Sequence, residues 1–184
     1  FSCTLVEAGA VHTASELRVT LAGDEARADV WGLYFGDEAR KIDLNYIIRQ
    51  EGRHTDANMQ VRGALLDRSV KTFRGTLDFI QGARGSVGKE DEEVMILSPH
   101  ARNRSVPLML SHEGDVDGHH AVSIGRMDED KLFYLMSRGL DERAAQQLVV
   151  EASFEPVLAR IESEELRAEI GSYLERRLLG GTQE

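Results

Sequence analysis

Several features are scarce in this chain, and each scarcity excludes something. One cysteine, Cys3, in 184 residues excludes an intramolecular disulfide framework and suits a reducing cytosol, so Cys3 reads as a structural strand residue. Positive charge is short: 22 Lys and Arg against 32 Asp and Glu give a net charge of −10. That argues against a general nucleic-acid binder, which needs a basic face for phosphates. No apolar run approaches the roughly 20 residues that span a bilayer, so no membrane partner is expected. No signal peptide is visible, and the expected location is the cytoplasm. A G-x-S-x-G elbow, a G-x-G-x-x-G turn and a P-loop lysine are all missing, which speaks against a serine hydrolase and against nucleotide binding by this chain alone. What remains, 41% apolar and 29% charged residues, is ordinary for a soluble globular protein of one domain, or one domain with an appendage.

From Thr4 to Ser111 the chain is a procession of strand candidates: TLVEAG, ELRVTLAG, ADVWGLYFG, KIDLNYIIRQ, MQVRGALL, VKTFRGTLDFI, EVMILS and VPLMLS. Each alternates apolar and polar residues or forms a short apolar run, and most stop at Gly, Asp or Ser. Asn-Gly and Asp-Gly hairpin pairs are missing between them, which disfavours an antiparallel sandwich. Val61-Arg-Gly-Ala-Leu and Phe73-Arg-Gly-Thr-Leu match in pattern twelve residues apart. Read as stacking copies, they point to a β-solenoid. The GARGSVGKED stretch, Gly82 to Asp91, has a phosphate-binding look but lacks a Ser or Thr after Lys89; it reads as a turn between strands. His54 reads as a loop or strand-start residue.

The periodicity changes near Asp128. Asp128-Glu-Asp-Lys supplies a cap and an acidic first turn, LFYLM continues the helix, and Gly139 occupies the C′ position. Asp141 caps a second helix with an apolar stripe of Ala144, Ala145, Leu148, Val149 and Ala152, which Pro156 ends or kinks. Ser163 caps a third, with Leu166, Ile170, Tyr173, Leu174 and Leu178 on one face and Gly180 and Gly181 at its end. The reading divides the chain into a β core, residues 1–126, and a helical region, residues 127–184, whose helices are expected to cover the end of the β stack.

Possible metal ligands are densest where the two patterns meet: His112, Glu113, Asp115, Asp117, His119 and His120. If Val116 to Ile124 is a strand, side chains alternate between its faces. Asp117 then accompanies His119, while His120 accompanies Gly118 and Val122, and no zinc-type spacing results.

His54-Thr-Asp-Ala-Asn, Val61-Arg-Gly-Ala-Leu-Leu-Asp-Arg-Ser and Phe73-Arg-Gly-Thr-Leu are followed by Asp115-Val through His120-Ala and Gly125. Then comes Leu132-Phe-Tyr-Leu-Met-Ser-Arg-Gly-Leu, with Ala144 or Ala145 behind it. In content and order these motifs resemble the SufB/SufD family of iron–sulfur cluster assembly proteins, closer to its SufD branch, across residues 40–160. FYL-x-SRG is the most specific of them. Members are commonly more than twice this length, so the resemblance is to their C-terminal half. It implies a right-handed parallel β-helix followed by a small helical region. It further implies a non-catalytic scaffold subunit of an assembly complex with a SufB-type subunit and the SufC ATPase, an ABC-type partner. Phe133, Tyr134, Ser137, Arg138, Gly139 and Leu148 fall in the part that docks the ATPase in that family. Many members carry Cys-x-His where this chain has Gly118-His119-His120. The resemblance therefore carries over the histidine, His120, as an iron contact at a subunit interface, but not the cysteine. Without the thiolates no cluster is expected to be held stably, and iron or a cluster would be bound only transiently in the complex. A homodimer or heterodimer through the β-helix is expected. The alternative reading is a stand-alone metal-binding protein or metalloenzyme using the Asp115–His120 cluster.

Overall fold

The structure, a computed structural model, describes residues 1–127 and 129–178. Nine strands come first: β1 (Ser2–Glu7), β2 (His12–Leu21), β3 (Arg27–Gly36), β4 (Lys41–Gln50), β5 (Asp56–Leu65), β6 (Val70–Phe79), β7 (Ser86–Ile96), β8 (Arg102–Ser111) and β9 (Val116–Arg126). Three helices follow: α1 (Glu129–Ser137), α2 (Glu142–Leu158) and α3 (Glu164–Leu178). Odd-numbered strands form a five-stranded sheet and even-numbered strands a four-stranded one. All pairings are parallel. The chain thus crosses from one sheet to the other at each turn and winds a β-solenoid with two strands per coil, as the strand procession and the missing hairpin pairs predict.

Alternation decides what lies inside. In β4, Ile42, Leu44, Tyr46, Ile48 and Gln50 are buried and Lys41, Asp43 and Arg49 are exposed. Inward residues of both sheets fill one core, with Val30, Leu44, Tyr46, Ile48, Met59, Val61, Phe73, Leu77 and Phe79 all at most 1% exposed. A fully buried aliphatic or aromatic side chain contributes about 1.5–3 kcal/mol over an exposed one, and stacking the turns supplies this burial repeatedly.

The repeat works differently from the twelve-residue expectation. A coil consumes 27 to 32 residues, as the partners Ser2–Asp29, Arg27–Asp56 and Val70–Arg102 show. Val61-Arg-Gly-Ala-Leu lies in β5 and Phe73-Arg-Gly-Thr-Leu in β6, in opposite sheets, so the two are half a coil apart and are not stacked copies. Their glycines share one use. A Cβ at Gly63 would stand 2.0 Å from the Tyr34 ring, and one at Gly75 would stand 2.0 Å from Glu90 Oε1. Each glycine makes room for a large inward side chain.

Three further expectations need correction. Only Gly82 to Gly85 form the turn before β7; Ser86 to Asp91 belong to the strand, where Ser86, Glu90 and Glu92 face inward. The buried stripe of α2 is Ala145, Val150, Phe154, Val157 and Leu158, while Leu148 and Ala152 stay exposed. The helix has two apolar faces, and the one carrying Phe154 is the larger. Pro156 does not end α2, which runs on to Leu158 because Val157 and Leu158 are themselves buried.

The helices also lie elsewhere than expected. They do not cover the end of the stack. Outward residues Leu33, Phe35 and Ala64 of the five-stranded sheet form a second cluster with Val150, Phe154, Val157, Leu158 and Leu174. An apolar strip on a sheet face needs a cover, and α2 and α3 supply it. Arg177 reinforces the docking by donating from Nε to Asp37 at 2.6 Å and from its terminal nitrogen to Glu38 at 2.7 Å. Arg160 pairs with Asp29 and stacks 4.7 Å from the Trp31 ring centre. Asp141 caps α2, accepting from the Ala144 N–H at 2.8 Å, and Ser163 Oγ accepts from the Leu166 N–H at 3.2 Å. Gly139, at φ +98°, follows α1. The proposed cap Asp128 and the closing glycines Gly180 and Gly181 lie outside the described residues.

Candidate functional site

The ligand-rich stretch is dispersed by its own backbone. His112 is exposed, 3.9 Å from Asp78. Glu113 organises a turn, accepting from the N–H groups of Gly82 and Gly114 at 3.0 Å and of Asp115 at 3.3 Å. These bonds hold its carboxyl below the usual carboxylate range. In β9, Asp117 and His119 project outward and meet at 2.9 Å. Gly118 faces inward, because a Cβ there would meet Met109 Sδ at 2.5 Å and Phe79 Cε2 at 3.3 Å. With a period of two, His120 shares that inward face. Among the described residues no three His, Cys, Asp or Glu side chains are arranged to hold a metal ion. The six candidates are therefore not brought together, and His120 stands apart from its five neighbours.

What His120 joins is a buried polar row that the sequence reading missed. In the β7–β9 register, Glu90 is the partner of His120 and Glu92 the partner of Val122. Glu90 is 2% exposed and Glu92 is fully buried, as is Lys71 on the opposite sheet. Lys71 Nζ pairs with Glu92 Oε1 and donates to Asn103 Oδ1 at 2.9 Å and Ser105 Oγ at 3.2 Å. The Tyr34 hydroxyl donates to the same Glu92 oxygen at 3.3 Å. The ammonium lies 5.1 Å from the Tyr34 ring centre and 5.3 Å from that of Phe73. Glu90 differs from its neighbours: neither of its oxygens has a hydrogen-bond partner. A signal for this row was present. Lys71 is in phase with Phe73, Leu77 and Phe79, and Glu90 and Glu92 are in phase with Val94, so alternation alone aims all three inward.

Burial governs the electrostatics. Loss of solvent pulls the Lys71 ammonium below the usual lysine range, with Glu92 opposing the shift. It pushes the Tyr34 phenol well up, and Glu92 adds to that. Glu90 is raised to about 7 by desolvation first and by Glu92 second, with Lys71 opposing. The sign follows from linkage: the folded state favours protonated Glu90. The penalty for this carboxyl is absent below its ordinary range of about 4.5 and complete above about 7. Glu90→Gln is therefore expected to match the unmodified protein near pH 4 and to exceed it in stability at pH 8, by about 2–3 kcal/mol. Urea unfolding across that range checks this; a difference that does not change with pH would contradict it.

A second surface lies on the helices. No residue of α1 is buried. Phe133 is 74% and Tyr134 56% exposed, with Met136, Leu140 and Leu148 also outward. Ser137 Oγ donates to the Tyr134 carbonyl at 2.7 Å, and the Arg138 guanidinium lies 5.2 Å from the Tyr134 ring centre. In the FYL-x-SRG run, then, Ser137 and Gly139 shape the end of α1, and Arg138 braces the exposed Tyr134. Behind them a cleft of about 590 Å³ separates α1 and α2 from β7 and β9, lined in part by Arg62, Met95, Leu135 and Leu148.

Residues 1–153 match the family model described as SUF system FeS cluster assembly, SufBD core domain. The iron–sulfur cluster assembly protein SufD of Bacillus subtilis is 29% identical over 166 residues, covering 90% of this chain and 38% of that protein. An iron–sulfur cluster assembly SufBD family protein of Mycobacterium bovis is 29% identical over 168 residues, 87% of this chain and 42% of that one. A SufBD family protein of Pyrococcus horikoshii is 30% identical over 159 residues, 86% and 35% respectively. The chain thus spans about two-fifths of the length of these relatives.

Proposed function

The chain belongs to the SufB/SufD family and is SufD-like, and from that premise we propose that it is a non-catalytic scaffold subunit in iron–sulfur cluster assembly. Its partners in this reading are a SufB-type subunit at the open end of the solenoid and a SufC-type ATPase at the helices, and its place of work is the cytosol. Among the described residues no helix is long and apolar enough to cross a membrane.

The observation that carries the reading is the pair of unlike, uncovered surfaces at the C-terminal side. One is the last coil, where β8 and β9 are edge strands and His120 faces the core from an exposed position. Open edges invite pairing with another chain. The other is the apolar surface of α1 and α2, where Phe133, Tyr134 and Leu148 project without burial; aromatic anchors of this kind dominate binding energy at interfaces. A scaffold needs two such surfaces, one for the chain it pairs with and one for the motor that moves it. Iron or a cluster is cargo in this scheme and is not held stably by this chain alone.

Co-purification with a SufC-type ATPase tests the proposal. Phe133→Asp and Leu148→Asp are each expected to weaken association by about 2 kcal/mol or more, the scale of a lost anchor. Both positions are exposed, so the fold should be unaffected. Absence of association with the unaltered chain in every nucleotide state would exclude the motor-docking role.

A further inference from the structure

We propose that the cavity between the turn before β6 and the turn before β8 is a binding site for a small phosphoryl anion, with the guanidiniums of Arg68 and Arg102 as its main donors. It lies at the margin of the four-stranded sheet, whereas the helices cover the five-stranded one, and it does not depend on the scaffold reading.

The charge pattern singles this place out. In a chain of net charge −10, residues 94–112 contain no Asp or Glu. That run holds β8 and the turn before it, with His100, Arg102 and Arg104 all exposed. Register adds to the charge. Arg102 is the partner of Val70, Val70 of Lys41 and Lys41 of His12, so this outer row carries a basic residue on three of its four strands and no acid. The neighbouring acids are already engaged. Asp37 and Glu38 are held by Arg40 and Arg177, and Asp43 pairs with Arg74. Asp67, the acid of the lower turn, accepts at Oδ2 from the Glu38 N–H at 2.9 Å. The side chains of Lys41, Arg68, Arg102 and Arg104 make no ion pair or hydrogen bond among the described residues. The donors are thus free, while the rest of an acidic surface repels an anion.

The turns give the place its shape. The turn between β5 and β6 has four residues, 66–69, and the one stacked on it between β7 and β8 has five, 97–101. The lower turn closes with the Ser69 N–H on the Leu66 carbonyl at 3.1 Å, the upper with the Ala101 N–H on the Ser98 carbonyl at 3.2 Å. The surplus residue puts the two turns out of step and leaves Pro99 and His100 exposed. Arg68, Val70, Pro99, His100 and Arg102 then line one cavity of about 540 Å³. Val70 and Pro99 are walls without charge, so nothing in the lining competes for the two arginines. A guanidinium offers a planar fork of N–H donors that matches phosphate oxygens two at a time. A doubly charged phosphoryl group can use both guanidiniums, whereas a single carboxylate is saturated by one. The cavity is open to solvent, so binding is of modest affinity and sensitive to salt.

The experiment is a calorimetric titration of the full chain with inorganic pyrophosphate at low salt. About one equivalent should bind, with Kd below about 1 mM. Arg68→Ala and Arg102→Ala should each raise Kd about 5-fold or more, the scale of a lost hydrogen bond to a charged group. Both residues are exposed, so the fold is kept. Arg18→Ala is the control: this exposed arginine on the outer face of the same sheet pairs with Glu16, and its loss should leave Kd unchanged. Titration with ADP separates the sources of the phosphoryl group. ADP binding at the pyrophosphate affinity, and in competition with it, assigns the diphosphate group wherever it is carried; pyrophosphate binding without ADP binding assigns the free anion. No pyrophosphate binding up to about 5 mM, unaltered affinity in Arg68→Ala and Arg102→Ala, or equal weakening by Arg18→Ala would each overturn the site.

Discussion

Lys71→Met is expected to destabilise the fold by about 3–5 kcal/mol, the range for breaking a buried ion pair by removing one partner. The volume is nearly conserved, so cavity formation is not the cause. What is lost is the cation that pairs with Glu92, which would be left fully buried with the Tyr34 hydroxyl as its remaining partner among the described residues. Asn103 Oδ1 would lose the Lys71 donor as well, and Ser105 Oγ would keep only Asn103 Nδ2 as a donor. The companion variant separates the pair from its parts. Lys71→Met combined with Glu92→Leu should recover most of the loss, because two apolar side chains need no desolvation of charge. Urea unfolding of the two single variants and the double variant measures the coupling. A loss in the double variant equal to the sum of the two single losses would show that the pair itself contributes nothing.

Phe154→Ala should cost about 3–5 kcal/mol, the range for truncating a large buried aromatic, but the loss should fall on the helices. Phe154 is 1% exposed and belongs to the cluster that joins α2 and α3 to Leu33, Phe35 and Ala64. The solenoid has its own core, in which none of these residues takes part. Hydrogen exchange is therefore expected to speed up through α2 and α3 while β3 to β7 remain protected. In the scaffold reading, the same variant loses ATPase association without losing the β-fold. Uniform deprotection of strands and helices would show instead that the two clusters unfold as one.

Legibility differed between elements for physical reasons. Strands were readable because alternation is a local property: KIDLNYIIRQ carries its inside and outside on its face, and β4 has the limits read from it. The Asp141 cap and the glycine after α1 were equally local. The stripe of α2 was misread because two apolar faces compete on one helix, and only the outward Leu33 and Phe35 of a distant strand select between them. The arginine-glycine repeat was read at the wrong period, since twelve residues separate halves of a coil and only the register gives its true length. At the site, alternation separated His119 from His120 from sequence alone. It could equally have flagged Lys71, Glu90 and Glu92, but taking Gly82 to Asp91 for a turn concealed Glu90, and starting the next strand at Glu93 left out Glu92.

The sequence by itself determined that this chain winds short parallel strands and then turns helical, because strand alternation, helix caps and missing hairpin turns act over a few residues. Its motifs also placed it beside the SufB/SufD family. The tertiary structure alone decided which residues meet. It set Glu90 beside His120 and Lys71 against Glu92, and it laid the helices along the flank so that the end of the core stays uncovered. These are contacts between residues some 20 to 130 positions apart, fixed by the register of stacked coils and by apolar surface seeking a cover, and no local pattern encodes them.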